Sequence, residues 1–190
     1  VDFVGALSKA DLPDLYRGLD VLALQELRCP PAEVGEFPGY HAAVDCGSIP
    51  GRNGVAILSR LPLGPVTDHS AVLWRDLPGN LMPPAVPDGQ RLSSTAHWDV
   101  PLLTDAGPLH LLAWSATPPV FDGPEDRNGR RNHDEAAFWL HHLPDAPFVL
   151  LGNPNLDLVD GDGRPQAMTA LLDHAQDLAR VRDERAGLQP

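Results

Sequence analysis

Four polar residues stand directly after short apolar runs, where a rigid strand could hold them and a loop could give access. Glu26 follows the run 21–25, Ser115 follows the run 109–114, and Asn153 and Asn155 follow the run 148–152. A carboxylate in such a place could ligate a metal ion, and hydroxyl and amide groups could hydrogen-bond a reacting group. They make a site only if the strands converge, which residue types alone leave open. Taken singly, Glu26 also fits a solvated carboxylate at a strand end, and Asn153-Pro154-Asn155 fits a turn.

Other groupings carry less chemistry. His133 and His141 are eight residues apart, about two helical turns or roughly 12 Å, too far to share one metal ion. His141 and His142 point apart on a helix. Asp157, Asp160 and Asp162, interleaved with Gly161 and Gly163, lack the spacing and final Glu of an EF-hand and read as a solvated turn. Arg127, Arg130 and Arg131 form the densest basic spot, but Glu125, Asp126, Asp134 and Glu135 surround them. A loop held by local ion pairs and helix capping is the expectation there.

The elements that must position these residues follow from periodicity. The runs 21–25, 55–59, 109–114 and 148–152 are short, apolar and bounded by polar or turn residues, as buried strands are. The segment 91–103 alternates enough to be a further strand, and 78–89 is a Pro-rich loop. Asn132 with Glu135 resembles a helix cap and its reciprocal carboxylate. Ala136, Ala137, Leu140 and Leu143 then share a face, predicting a helix over 132–143. A second helix is predicted to start near Pro165, with Ala167, Met168, Leu171, Leu172 and Ala175 aligned. Phe3, Val4 and Leu7 lie at helical spacing within 1–17. Helical and extended stretches are interspersed, which predicts one mixed α/β domain over 1–190.

Composition sets the bounds. The 190 residues are 43% hydrophobic and 21% charged, which fits one globular domain and excludes a disordered or collagen-like chain. The 21 Pro and 17 Gly foretell many turns. No apolar run approaches the roughly 18 residues of a membrane span, so a membrane is not expected as a partner. Fourteen Lys and Arg against 26 Asp and Glu give a net charge of −12, which argues against non-specific nucleic-acid binding through a basic face. A phosphate-handling enzyme stays open, because a bound cation supplies positive charge locally. Cys29 and Cys46 could form one disulfide but are too few for a disulfide framework or a four-cysteine zinc site, and buried or idle thiols are the expectation. With no signal-like stretch at Val1, the expectation for localisation leans to the cytoplasm.

Longer strings carry a family resemblance. LALQELRCP at 22–30, GYHAAV at 39–44 and GRNGVAILSRLP at 51–62 resemble the first half of exonuclease-III-type members of the endonuclease/exonuclease/phosphatase superfamily. ATPPVFDGPEDRNGRRNHDE at 116–135 and LLGNPNLD at 150–157 are similar to a bacterial branch of it. The resemblance implies a four-layer α/β sandwich of two packed mixed sheets with outer helices. It also implies hydrolysis of phosphoester bonds with a divalent cation, magnesium or manganese. By the same resemblance Glu26 would anchor the cation, Asn155 would contact the phosphate, and Asn153 would stand where the family has a water-activating Asp. Ser115 would stand where the family commonly has a His.

Those two departures matter chemically. An amide hydrogen-bonds a water but cannot take its proton, and a hydroxyl lacks the charge of an imidazolium. The expectation is a phosphodiester hydrolase of impaired activity acting on a substrate such as DNA, with Asp157 or His97 as substitute base if turnover is robust. A silent binding scaffold and a small-molecule phosphatase are the alternatives. The family's terminal strands are not recognised, so uncovered strand edges and self-association are also expected.

Overall fold

The computed structural model describes residues 20–27, 39–45 and 54–174; for residues 22 and 24–27 it describes the backbone alone. Two sheets make up the fold. The first is antiparallel, built from β1 (Val21–Leu27), β2 (His41–Asp45) and β3 (Gly54–Ser59) in the order β1-β3-β2. The second contains β4 (Thr67–Asp68), β5 (His97–Thr104), β6 (Gly107–Ser115) and β7 (Phe148–Asn153) in chain order. All its pairings are antiparallel except β6 with β7, which run parallel. A parallel pair needs a crossover, and α1 (Arg127–Leu140) lies between β6 and β7 in the chain. Helix α2 (Gln166–Asp173) follows β7 and packs on α1.

The apolar runs become strands because both of their faces are covered. Leu111 and Ala113 of β6 meet Trp98, Val100 and Leu102 of β5 and Ala23, Val55 and Ile57 of the first sheet in one core. Leu112 and Trp114, on the opposite face of β6, join Phe138 and Trp139 of α1 and Ala167 and Leu171 of α2 in a second core. The architecture is the expected mixed α/β sandwich, with helices on the outer face of the second sheet. Among the described residues no helix is long and apolar enough to cross a membrane. The helix expected within 1–17, the two cysteines and Ala175 lie outside the described residues.

Several boundaries differ from expectation. Strand β1 continues past residue 25 to Leu27, and its register against β3 shifts between Leu24 and Leu27, around Glu26. Strand β5 starts at His97 rather than 91, because the carbonyls of Arg91, Leu92 and Ser93 turn toward the Arg131 guanidinium at 2.8–3.1 Å instead of into a ladder. Helix α1 begins five residues before Asn132, immediately after Asp126, whose φ of 51° is left-handed. Asn132 is therefore no cap. Its amide lies inside the helix and donates to the carbonyls of Thr117 and Pro154, both at 2.8 Å. The helix ends at Leu140, so Leu143 lies beyond it.

Candidate functional site

The parallel pairing of β6 with β7 ends with Ser115 opposite Asn153. The ladder is extended by Ala116 N–H donating to the Asn153 carbonyl at 2.9 Å. Two of the predicted site positions are thus neighbours at the carboxyl ends of adjacent strands, and Asn155 folds back onto Asn153 and onto Ala116, the residue after Ser115. Its backbone N–H donates to Asn153 Oδ1 at 2.9 Å and its Oδ1 accepts from Asn153 Nδ2 at 3.0 Å. Its Nδ2 donates to the Ala116 carbonyl at 2.7 Å. This closure requires a left-handed backbone, φ 48° at Asn155, which Asn tolerates better than most residues. Ser115 is buried, whereas Asn153 and Asn155 are half-buried.

Behind this corner stands a carboxylate that sequence reading had assigned to a helix cap. Glu135 is wholly buried, and its two oxygens accept the backbone N–H groups of Ser94 and Thr117, each at 2.6 Å. The Ser94 hydroxyl donates to the Ser115 carbonyl at 3.0 Å. Helix α1 therefore pins the strand exit at three places: Asn132 on Thr117 and Pro154, Glu135 on Thr117, and Glu135 through Ser94 on Ser115. Burial pushes the Glu135 carboxyl above its ordinary range, opposed by the nearby Arg131 guanidinium and by the Ser94 and Thr117 donors. The signal for this role was the three-residue spacing of Asn132 and Glu135, which puts both on one helix face.

The remaining candidates separate. His97 is buried among Trp114, Phe138 and Trp139, and its Nε2–H donates to the Glu135 carbonyl at 3.0 Å, which commits that nitrogen to the core. Asp157 is exposed, and its Oδ1 accepts the N–H groups of Val159 and Asp160, which hold its carboxyl below the usual range. That is the solvated turn expected for 157–162. His133 leans on Asp134 at 2.9 Å, while His141 is exposed at the far end of α1. Asp134 is itself buried, accepting from Trp74 Nε1 and Leu81 N–H at 2.6 Å each.

The arginines are not in a loop held by local ion pairs. They lie in the first turns of α1, Arg131 serving three carbonyls, Arg127 the side chain of Gln90, and Arg130 the carbonyl of Glu125. An ion pair at this end of the helix comes instead from Arg164, 2.6 Å from Asp126.

For a divalent cation the described corner offers neutral oxygens only. Asn153 and Asn155 spend their amide oxygens on each other, and Glu135 faces inward to backbone donors. Magnesium favours carboxylate oxygen, so these groups do not suffice alone. Among the described residues no cluster of three or more His, Cys, Asp or Glu side chains is arranged to hold a metal ion. The backbone of Glu26 lies in β1, which packs against β6 and β7, but its side chain lies outside what is described.

Comparison with known proteins follows the same lines. The profile of the Endonuclease/Exonuclease/phosphatase family matches residues 4–189. No curated protein matches. Among solved structures, sphingomyelinase C from Streptomyces griseocarneus superimposes with a TM-score of 0.56 at 16% identity, covering 87% of this chain and 60% of that one. Beta toxin from Staphylococcus aureus gives 0.51 at 13% identity, covering 84% and 59%. A 3′ phosphatase from Neisseria, bound to a product DNA hairpin, gives 0.47 at 21% identity, covering 87% and 66%. The chain thus spans less than two thirds of the length of each of these three structures. At these identities the first two likenesses speak to the fold.

Proposed function

We propose, because the chain belongs to the endonuclease/exonuclease/phosphatase family, that it is a metal-dependent phosphodiester hydrolase of slight activity. The observation that carries this reading is the pairing of Ser115 with Asn153 at adjacent strand ends, with Asn155 closed onto Asn153 and the Ala116 carbonyl. A phosphoester-cleaving site needs oriented donors for the phosphoryl oxygens and a group to direct a water. Asn155 would serve the phosphate and Asn153 would direct the water without accepting its proton. Glu26 would anchor magnesium or manganese, which when bound neutralises charge on phosphoryl oxygens. The absent base accounts for the slight turnover, since positioned proton transfer contributes about 10²–10⁴-fold.

Two experiments test it. Metal at ten times its Kd should add about 1.4 kcal/mol, a rise in Tm of roughly 3–5 °C. The Glu26→Ala variant should lose that rise; an undiminished rise removes Glu26 from the site. Bis(p-nitrophenyl) phosphate should be hydrolysed barely above the metal-only background. Asn153→Asp combined with Ser115→His should raise magnesium-dependent cleavage by more than either single change, because groups acting in one mechanism are not additive. Robust, Glu26-dependent turnover by the unaltered chain would show that neither departure disables the site.

A second reading is favoured by one detail. The Asn153 and Asn155 amides are closed on each other, which suits a binding scaffold as well as a slow enzyme. Phosphate-dependent stabilisation with no turnover in any variant would select it. In addition, β7 is an edge strand among the described residues, and edges of this kind support self-association. A sedimentation coefficient that stays monomeric over a wide concentration range would count against that role.

A further inference from the structure

Two histidines that the corner does not use meet at the other edge of the second sheet. His69 follows β4, the edge strand opposite β7, and its backbone N–H donates to the His97 carbonyl at 2.8 Å. His142 lies just past the end of α1, where its N–H donates to the Trp139 carbonyl at 2.9 Å. Their ring centroids are 5.3 Å apart. Two imidazoles that share one tetrahedral ion stand about 5 Å apart by centroid, given metal–nitrogen bonds of about 2.0–2.1 Å. The His142 ring is fixed from below: it stacks on Phe138, 3.9 Å between centroids and 11° between planes, and its Nδ1 lies 2.8 Å from the Phe138 carbonyl. A carbonyl only accepts, so Nδ1 carries the proton and Nε2 keeps a lone pair. That is the tautomer of a ligating histidine whose other nitrogen is tied to a backbone oxygen. His69 is 5.2 Å from the Phe138 centroid and 5.3 Å from that of His142, so it stands beside the edges of the stacked pair rather than over a face. Lone pairs of ring nitrogens point outward at such edges. Among the described residues the His69 ring has no hydrogen-bond partner.

We propose that His69 and His142 together ligate one zinc-type divalent cation, with water completing its coordination. Imidazole nitrogen selects ions of this class over magnesium and calcium, which take oxygen. The charge around the pair suits a cation. Burial and the neighbouring His142 push the His69 ring below its ordinary value, while Asp99 and then Asp68 pull it upward, so two carboxylates face the pair. Each carboxylate is held by another donor: Asp99 lies 2.7 and 2.9 Å from His110 Nδ1, and Asp68 accepts the Ser70 N–H at 2.8 Å. They supply counter-charge rather than bonds to the ion. His69 is half-buried and His142 exposed, which leaves the pair open to solvent on one side. Two ligands are fewer than a closed structural zinc site uses, so the ion exchanges with solution. Bound there, it fastens the end of α1 to the segment after β4. The site is separate from the magnesium role proposed for Glu26 and does not depend on it.

The test is calorimetric titration of the full chain with zinc chloride, both unaltered and with Cys29→Ser and Cys46→Ser so that thiols do not compete. Zinc is expected to bind in both. Loss of a group that merely orients a ligand costs about 10–100-fold in metal affinity, so His69→Gln and His142→Gln should each weaken binding at least about tenfold. His141→Gln, which changes the exposed residue next to His142, should leave it unchanged. A second readout needs no variant. In long-range ¹H–¹⁵N spectra of the unaltered chain, two of the eight histidines should shift with zinc, one of them keeping its Nδ1 proton, and magnesium chloride should shift neither. Absence of zinc binding, undiminished binding in both histidine variants, or zinc shifts confined to other histidines overturns the proposal. Zinc binding that is lost in Glu26→Ala but kept in the histidine variants overturns it as well, and assigns the ion to the corner instead.

Discussion

Replacing Glu135 by Ala is expected to cost about 3–5 kcal/mol, because a buried and a half-buried backbone donor lose their acceptor and a neighbouring guanidinium loses its counter-charge. The donors are Ser94 N–H and Thr117 N–H, and Arg131 is the guanidinium. Urea unfolding should show a lower midpoint with an unchanged slope. Glu135→Gln keeps the shape but presents an NH₂ to one of the two N–H groups, so a smaller loss of about 1–3 kcal/mol is expected. Its pH dependence is the sharper test. Burial raises the folded-state value above the ordinary glutamate value of about 4.3, so the folded state holds the proton more tightly than the unfolded chain. That contribution to stability is complete below about pH 4.3 and is lost as pH rises through the folded value. The advantage of the native protein over Glu135→Gln should therefore shrink from acid to neutral pH. An advantage that grows with pH would mean that the Ser94 and Thr117 donors, with Arg131, outweigh desolvation.

The same residue shows where sequence reading reached its end. Strands β1, β3, β6 and β7 were legible because a run such as 109–114 alternates between two cores, and a strand covered on both faces has to be apolar nearly throughout. Strands β2 and β4, short and exposed or half-buried, were not. Helix α2 was legible because Pro165 and the spacing of Ala167 and Leu171 are local signals. Asn132 and Glu135 also present a local signal, the cap pair, but their partners are Thr117, Pro154 and Ser94, 15 to 41 residues away. No window along the chain contains that information. The four site positions could be pointed to individually, by the polar residue after each apolar run. That Ser115 and Asn153 are opposite one another depends on the parallel register of β6 and β7, which follows from the crossover through α1 rather than from either strand's own sequence.

The second large effect is expected at Gly152, the residue before Asn153. Its φ of 150° lies outside the range that L side chains ordinarily adopt, and an added Cβ would stand 1.7 Å from the Trp114 carbonyl oxygen and 2.8 Å from its carbon. Both atoms belong to the backbone of β6, which cannot yield as a side chain would. Relief requires opening the ladder between Trp114 and Gly152 and, next to it, the pair Ser115 and Asn153. Gly152→Ala should therefore destabilise by more than about 4 kcal/mol and leave little soluble folded protein. Gly79→Ala is the matched control, since Gly79 has φ 71° but open space around its Cβ position. It should cost only the left-handed penalty of about 1–2 kcal/mol. If the two variants melt at similar temperatures, the close approach of β7 to Trp114 is absent in solution. The corner that joins Ser115 to Asn153 and Asn155 would then have to be held by Asn132 and Glu135 alone. If Gly152→Ala fails to fold while Gly79→Ala folds, the glycine is what lets β7 come near enough to β6 for the Asn153 and Asn155 amides to close beside Ser115.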